Sequence, residues 1–465
     1  MRTRAGALGV LTALVAGVVI ATTPAGATAS RRATPTTQHQ AATPIQHFVT
    51  LMQENHTYDN YFGTYPRGDG LPAHVCVPVD PKKPHGQCVR PFELGSNQVV
   101  PVDPDHSSTT ARRQYDHGRL DGFVRALDLL HQDGRLAMGY RDGADLPYYW
   151  NLADRYVLYD RFFSSAMAGS FLNHIYWVSG SPAGGYEHIP PGGYHNLATI
   201  FDRLQKAGVS WKFYVQNYNP RLTFRTLRNF PANRASQVVW VPLLSMPRFL
   251  DNPQLRSHIV PLSQYYTDLL KNKLPAVSYI VPSGPSEHPP SSVASGQAFV
   301  RSLINSLIAS PDWKSSAFLL SYDDWGGWYD HVKPPQIDKY GDGFRVPALL
   351  VSPYAKRGVV DNTQLDFTSI LRFIESNWGL KPLTKRDARA NSIATGFDFK
   401  QAPRPAIFTA DTRGSTLETN VRRPLIYLFY GGAMAVTLIL IAVGLLRRRQ
   451  RRDPAPPAAP EGDFG

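Results

Sequence analysis

Residues 317–324 read AFLLSYDD, and residues 45–55 read IQHFVTLMQEN. The first stretch is apolar or small until it meets two adjacent aspartates. The second is β-branched and aromatic until it stops at Gln53-Glu54-Asn55. Short apolar runs bounded by polar residues are the pattern of strands buried on both faces. Working outward, further strands are predicted over Val209–Val215, where apolar residues alternate, over Ala276–Val281, and over Val346–Val351. Helices are predicted over Ala198–Ala207, closed by Gly208, over Gln297–Ala309, and over Phe367–Trp378. Strands alternating with helices of this length specify an α/β fold with a largely parallel sheet. Ligands of such sheets lie beyond the carboxyl ends of the strands, so the residues that follow each strand are where chemistry is sought.

The chain has 465 residues, of which 43% are hydrophobic and 18% charged, enough apolar content for a large core and too much for a disordered chain. Its formal net charge of +13 includes the basic ends, and what remains is spread along the body without the dense mixture of basic and aromatic residues that a nucleic-acid groove needs. That argues against nucleic acid as a partner and leaves anionic substrates or surfaces.

Both ends read as addresses. Residues 1–29 have a secretory signal's pattern: Arg2 and Arg4, an apolar stretch over Ala5–Ala21, and small residues at Ala25–Ala29 for cleavage. A first transmembrane helix is the alternative. Residues 30–44 form a Thr/Ala/Gln/Pro-rich lead-in, 45–413 the predicted catalytic domain, and 414–424 a linker. Leu425–Leu446 is a run of 22 residues without a charge, followed at once by five arginines in the tail 447–465. That length crosses a bilayer as one helix, and the basic flank places the tail in the cytoplasm and the body outside it. Cys76 and Cys88 are the only cysteines, so in an exported protein they are expected to form one disulfide. A metal site with His74 or His85 is the alternative.

After the first strand come Glu54 and Asn55, and after AFLLSY come Asp323 and Asp324. Three carboxylates and an amide oxygen are a hard donor set suited to a divalent cation, although two aspartates can also simply open a surface turn. His106, His288 and His331 lie in loops near predicted strand ends. Each is a candidate ligand, proton donor or phosphate contact, or an ordinary surface histidine. Ser170 follows Gly169 and precedes the apolar run Phe171–Val178. A helix starting there would offer backbone N–H groups to an anion and make Ser170 a candidate nucleophile; an ordinary N-cap serine is the alternative.

Together these segments resemble the bacterial phosphoesterase family that contains phospholipases C and an acid phosphatase, within the alkaline-phosphatase-like superfamily. The resemblance is carried, in order, by Gln53–Thr64, Leu120–Val124, Met138–Tyr140, Asp145–Tyr149, Ser170–Gly180, Ser286–Pro290, Tyr322–Val332, Gly343–Pro347 and Thr368–Glu375. It implies a three-layer α/β sandwich, with Glu54, Asn55, Asp323 and Asp324 as ligands of a divalent metal ion. It also implies Ser170 as the nucleophile, His288 and His331 as catalytic histidines, and Asn173 and His106 as substrate contacts. The implied function is a metal-dependent phosphoric-ester hydrolase, phospholipase C-like, working through a phosphoserine. An acid phosphatase or a catalytically silent binding module is the alternative. Three positions depart from the family's pattern: Leu172 where Pro is common, Asp324 where Glu is usual, and Phe367 where His is frequent.

Overall fold

The computed structural model describes residues 40–95, 102–185, 187–229, 236–284 and 286–413. The predicted signal segment, linker, apolar run 425–446 and basic tail lie outside the described residues, as does the lead-in before Gln40. Among the described residues, no helix is long and apolar enough to cross a membrane.

An eight-stranded sheet organises the body. From edge to edge its strands are Val359–Asp361, Val157–Tyr159, Ala348–Val351, Ser316–Tyr322, His47–Gln53, Val277–Val281, Trp211–Val215 and Ile259–Pro261. Seven run parallel, and Ala348–Val351 alone runs against its two neighbours. The reason lies in the connection. Residues 323–347 hold no helix that would carry the chain back across the sheet, so it re-enters from the end it left. Every residue of Ser316–Tyr322 and Val277–Val281 is buried, which requires packed layers on both faces and agrees with the uninterrupted apolar runs.

The helices have local causes. Ile200–Ala207 starts with a reciprocal Thr199–Asp202 capping box and ends at Gly208 in the left-handed region at φ 68°. Phe367–Asn377 is opened by Asp366, whose carboxylate accepts the Thr368 N–H. The helix predicted from Gln297 begins earlier, at Val293, because Ser292 caps it by accepting the Ser295 N–H. Strands Val157–Tyr159, Ile259–Pro261 and Val359–Asp361 have only three residues each, too few for a period to register.

Cys76 and Cys88 are joined by a disulfide with their Cα atoms 5.4 Å apart. Both thiols are consumed in it, so the alternative Cys/His metal site does not form.

One buried cation fastens the loop between Tyr322 and Ala348. The Arg345 guanidinium, wholly shielded from solvent, donates to Asp330 Oδ1 at 2.8 Å and Asp59 Oδ1 at 3.0 Å. It also donates to the carbonyls of Asp69 at 2.8 Å and Asp160 at 2.9 Å, and lies over the Tyr58 ring. Removing one member of such a network strands the other charges in a low-dielectric interior. Arg345→Ala should therefore lower the unfolding free energy by about 3–5 kcal/mol. Urea denaturation checks this; a loss below about 1 kcal/mol would show that the network contributes little.

Candidate active site

The register of the two central strands sets the site. Gln53 pairs with Tyr322 as the last rung between them, so Glu54-Asn55 and Asp323-Asp324 leave the sheet side by side. All four are buried. Asp323 Oδ1 accepts the Asn55 N–H at 3.1 Å and the Asp324 N–H at 2.8 Å, and Asp324 Oδ1 accepts the Gly326 N–H at 2.8 Å. Asn55 has φ 63° and Gly326 has φ 61°. A Cβ on Gly326 would lie 2.4 Å from the Asn55 carbonyl oxygen, so only glycine lets the two turns lie against each other.

The helix Ser170–Ser179 points its N-terminus at this acidic corner. Its N-cap is Gly169, in extended conformation and without a side-chain cap. Ser170 is thus the first helical residue, and the alternative of an N-cap serine is not what forms. Its Oγ donates to Asp324 Oδ2 at 3.2 Å and lies 3.4 Å from Glu54 Oε2. One turn along the same helix face, His174 Nε2 lies 3.2 Å from Glu54 Oε1 and 3.6 Å from Asp323 Oδ2. His174 escaped the sequence reading, although its i+4 spacing from Ser170 was the available signal.

Asn173 stands elsewhere than the resemblance implies. It is buried, its Oδ1 accepts the Ala166 N–H at 3.0 Å, and its Nδ2 donates to the Ala168 carbonyl at 2.7 Å. It holds the turn before Ser170 from behind and does not line the cleft.

The cleft over Ser170 has a volume of about 460 Å³, and Glu54, Asp103, His106, Gly169 and His288 line it with the serine. His106 Nδ1 is 2.9 Å from the Pro104 carbonyl, an N–H donor there, which leaves Nε2 to face the Asn55 amide at 3.3 Å. His288 Nδ1 is likewise held by the Pro289 carbonyl at 2.8 Å, and its Nε2 is 3.7 Å from Asp103 Oδ2. The structure therefore brings His106 and His288 to Ser170. His331 is not brought there: its Nδ1 contacts Asp59 at 2.7 Å and its Nε2 contacts Asp69 at 3.2 Å, within the Arg345 network. Phe367 is buried in the core against Phe162. Leu172 lines the cleft.

Behind His288, the carboxylate of Glu287 is enclosed by hydroxyls. Tyr61 donates to it at 2.6 Å, Tyr322 at 2.8 Å, and Tyr149 also donates. Burial raises Glu287 to about 7, against the stabilising pull of those phenols. It anchors the histidine loop, and the sequence reading passed over it in favour of its neighbour.

Charge in the corner is unbalanced. Burial and then the Asp323 charge raise Glu54 above the ordinary range, and the same two causes raise Asp324 further. Burial opposes ionisation of Asp323, but contact with His174 outweighs it and holds that carboxyl at about 2. Burial likewise opposes charge on His174, and the Asp323 carboxylate 3.6 Å away together with the hydrogen-bonded Glu54 outweighs it, raising the imidazole to about 9. Burial also disfavours the charged form of His288, yet the nearby Glu54 and Asp103 raise it. Asn55 Oδ1 and Asp323 Oδ2 are buried with no hydrogen-bond partner. Three carboxylates facing one imidazole, with two orphaned oxygens among them, fit a divalent cation.

A profile of the Phosphoesterase family matches residues 45–381. The chain is 30% identical over 421 residues to Phospholipase C B of Mycobacterium tuberculosis, spanning 78% of this chain and 80% of that protein. It is 28% identical to non-specific phospholipase C1 of Arabidopsis thaliana, spanning 79% and 73% of the two chains. Among solved structures, a phosphonate monoester hydrolase of Agrobacterium radiobacter aligns with a TM-score of 0.38 at 9% identity, over 76% of this chain and 77% of that one. The chain belongs to the Phosphoesterase family and is a hydrolase acting on phosphoester bonds.

Because the folded-state pKa of His174 lies above the ordinary 6.5, its contribution to stability is full below pH 6.5 and is lost as pH rises through about 9. Chelator-treated protein should lose thermal stability across that window, and His174→Gln should flatten the slope. Melting curves from pH 6 to pH 10 check it; an unchanged slope in the variant would remove His174 from the account.

Proposed function

We propose that this phosphoesterase is phospholipase C-like, cleaving a phospholipid through a covalent phosphoserine on Ser170. The observation that carries the reading is the convergence of the Ser170 hydroxyl, at a helix N-terminus, with three buried carboxylates at adjacent strand ends. The relatives named phospholipase C support the substrate class. The finer assignment of metal ligands to Glu54, Asn55, Asp323 and Asp324 rests on the donor set and its orphaned oxygens.

In this reading the phosphodiester lies in the cleft with its phosphorus in line with Ser170 Oγ. The Ser170 hydroxyl passes its proton to Asp324 Oδ2, to which it is hydrogen-bonded, and the Oγ–P bond forms as the P–O bond to the diacylglycerol breaks. His288, protonated in its acidic surroundings, presents Nε2 to the leaving oxygen and gives it a proton. The N-terminal N–H groups of the helix Ser170–Ser179 and the Asn55 and His106 side chains face the phosphoryl oxygens. Water then attacks phosphorus and gives a proton to the now neutral His288, the Oγ–P bond breaks, and Ser170 takes its proton back from Asp324. A divalent cation held by the four ligands would lower the pKa of the hydroxyl and offset phosphoryl charge. Asn173 acts indirectly, by fixing the turn that carries Ser170. His331 enters the proposal only as a brace of the Arg345 network.

We also place the body on the outer face of the membrane, held by the run 425–446, which suits a lipid substrate. Protease added to intact cells should release an active fragment lacking the arginine tail; a protected body would overturn that orientation.

Ser170→Ala should lose several powers of ten in turnover while keeping its metal, whereas Ser170→Thr should retain part of the activity. A quenched wild-type reaction should carry a phosphate-mass adduct on the peptide containing Ser170. Near-normal turnover by Ser170→Ala would make water the nucleophile, and turnover only of monoesters would favour a phosphatase. Glu54→Ala and Asp323→Ala should each lose most bound metal, read by elemental analysis; full occupancy in both would remove the ligand assignment.

A further inference from the structure

Most exposed apolar residues on a protein surface are scattered singly. Among the eight large hydrophobic side chains that are exposed in the described residues, two pairs are adjacent, Ile407–Phe408 and Leu129–Leu130, and the turn carrying the second is tied to the segment that follows the exposed Val102. Gln132 makes the connection. Its Nε2 donates to the Asp103 carbonyl at 2.9 Å and its Oε1 accepts the Asp105 N–H at 2.9 Å, which ties the turn after the helix Phe123–Asp128 to the segment carrying Val102. Gln132 also lines the Ser170 cleft. On the other flank of the turn, Leu129 lines a second hollow of about 550 Å³ together with Lys82, Arg113, Arg119 and Arg125. Arg119 is occupied by Asp116 and Asp121, but Lys82, Arg113 and Arg125 form no ion pair among the described residues. The turn thus reaches the catalytic cleft through Gln132 and the basic hollow through Leu129, with Leu130 exposed beside it.

We infer that the Leu129–Leu130 turn is a docking edge that seats the cleft against an anionic phospholipid surface. Leucine side chains at 47% and 42% exposure gain free energy by entering the headgroup boundary. Basic groups beside them meet lipid phosphates, and their attraction adds to the apolar term. Neither term acts on a substrate dissolved in water, so the edge raises turnover of bilayer lipid and leaves turnover of a soluble diester alone. The inference rests on the phospholipid reading above.

Its test uses the full chain. Both native cysteines are in the disulfide, so a single introduced cysteine takes an environment-sensitive fluorophore at one place only. Labels at Leu130→Cys and at Leu270→Cys, the latter replacing a side chain 88% exposed, are compared on addition of phosphatidylglycerol vesicles. A blue shift with protection from aqueous quencher is expected at position 130 and not at 270. Shifts at both positions, or at neither, would overturn the inference. Reversing Lys82, Arg113 and Arg125 to glutamate should raise the vesicle concentration for half-maximal shift at least fivefold at low salt; an unchanged midpoint would overturn the basic contribution. Leu129→Ser with Leu130→Ser should lower hydrolysis of vesicle phospholipid about tenfold and leave p-nitrophenyl phosphorylcholine hydrolysis unchanged; equal losses on both would overturn a docking role. The fluorescence arm reads no turnover, so failure of the phospholipase reading leaves its result separately legible.

Discussion

Everything at the site follows from the in-register parallel pairing of His47–Gln53 with Ser316–Tyr322. Each strand ends where the ladder ends, and each is followed by acidic residues that have no further rung to join. Two backbone ends about 4.8 Å apart gather carboxylates in one buried corner, an arrangement compatible with a divalent cation. The fold therefore builds an electrostatic deficit into its own topology, and the helix Ser170–Ser179 brings it a hydroxyl and one imidazole.

Much of this was legible in the sequence because the determining residues are local. The strands AFLLSY and FVTLM declare themselves by continuous apolar character, and Glu54, Asn55, Asp323 and Asp324 follow directly after them. Gly169 before an apolar run pointed to a helix start at Ser170. What escaped depends on pairs far apart in the chain. His174 matters because of Glu54, 120 residues away, and Glu287 because three tyrosines from separate segments converge on it. The three-residue edge strands exist only through their neighbours.

His331 teaches the same lesson from the other side. Its motif, Asp330-His331-Val332, reads as chemistry because it holds an acid and an imidazole in sequence. In three dimensions both side chains face Arg345 and Asp59. Buried guanidinium and carboxylates demand that kind of mutual satisfaction. Such a motif is recognisable for what it braces, since the loop from Asp323 to Arg345 carries the metal-ligand candidates at one end and its clasp at the other.

Asn173 has a consequence for how the enzyme can change. Its amide grips the main chain of Ala166 and Ala168, so the position of Ser170 is specified by peptide groups that every amino acid shares. The half-buried side chains lining the cleft, such as Phe171 and Trp240, carry none of that burden. Mutation of that lining is thereby decoupled from mutation at the reacting centre. A lineage can explore new phosphoesters by exchanging cleft-lining residues while the corner around Ser170 stays put.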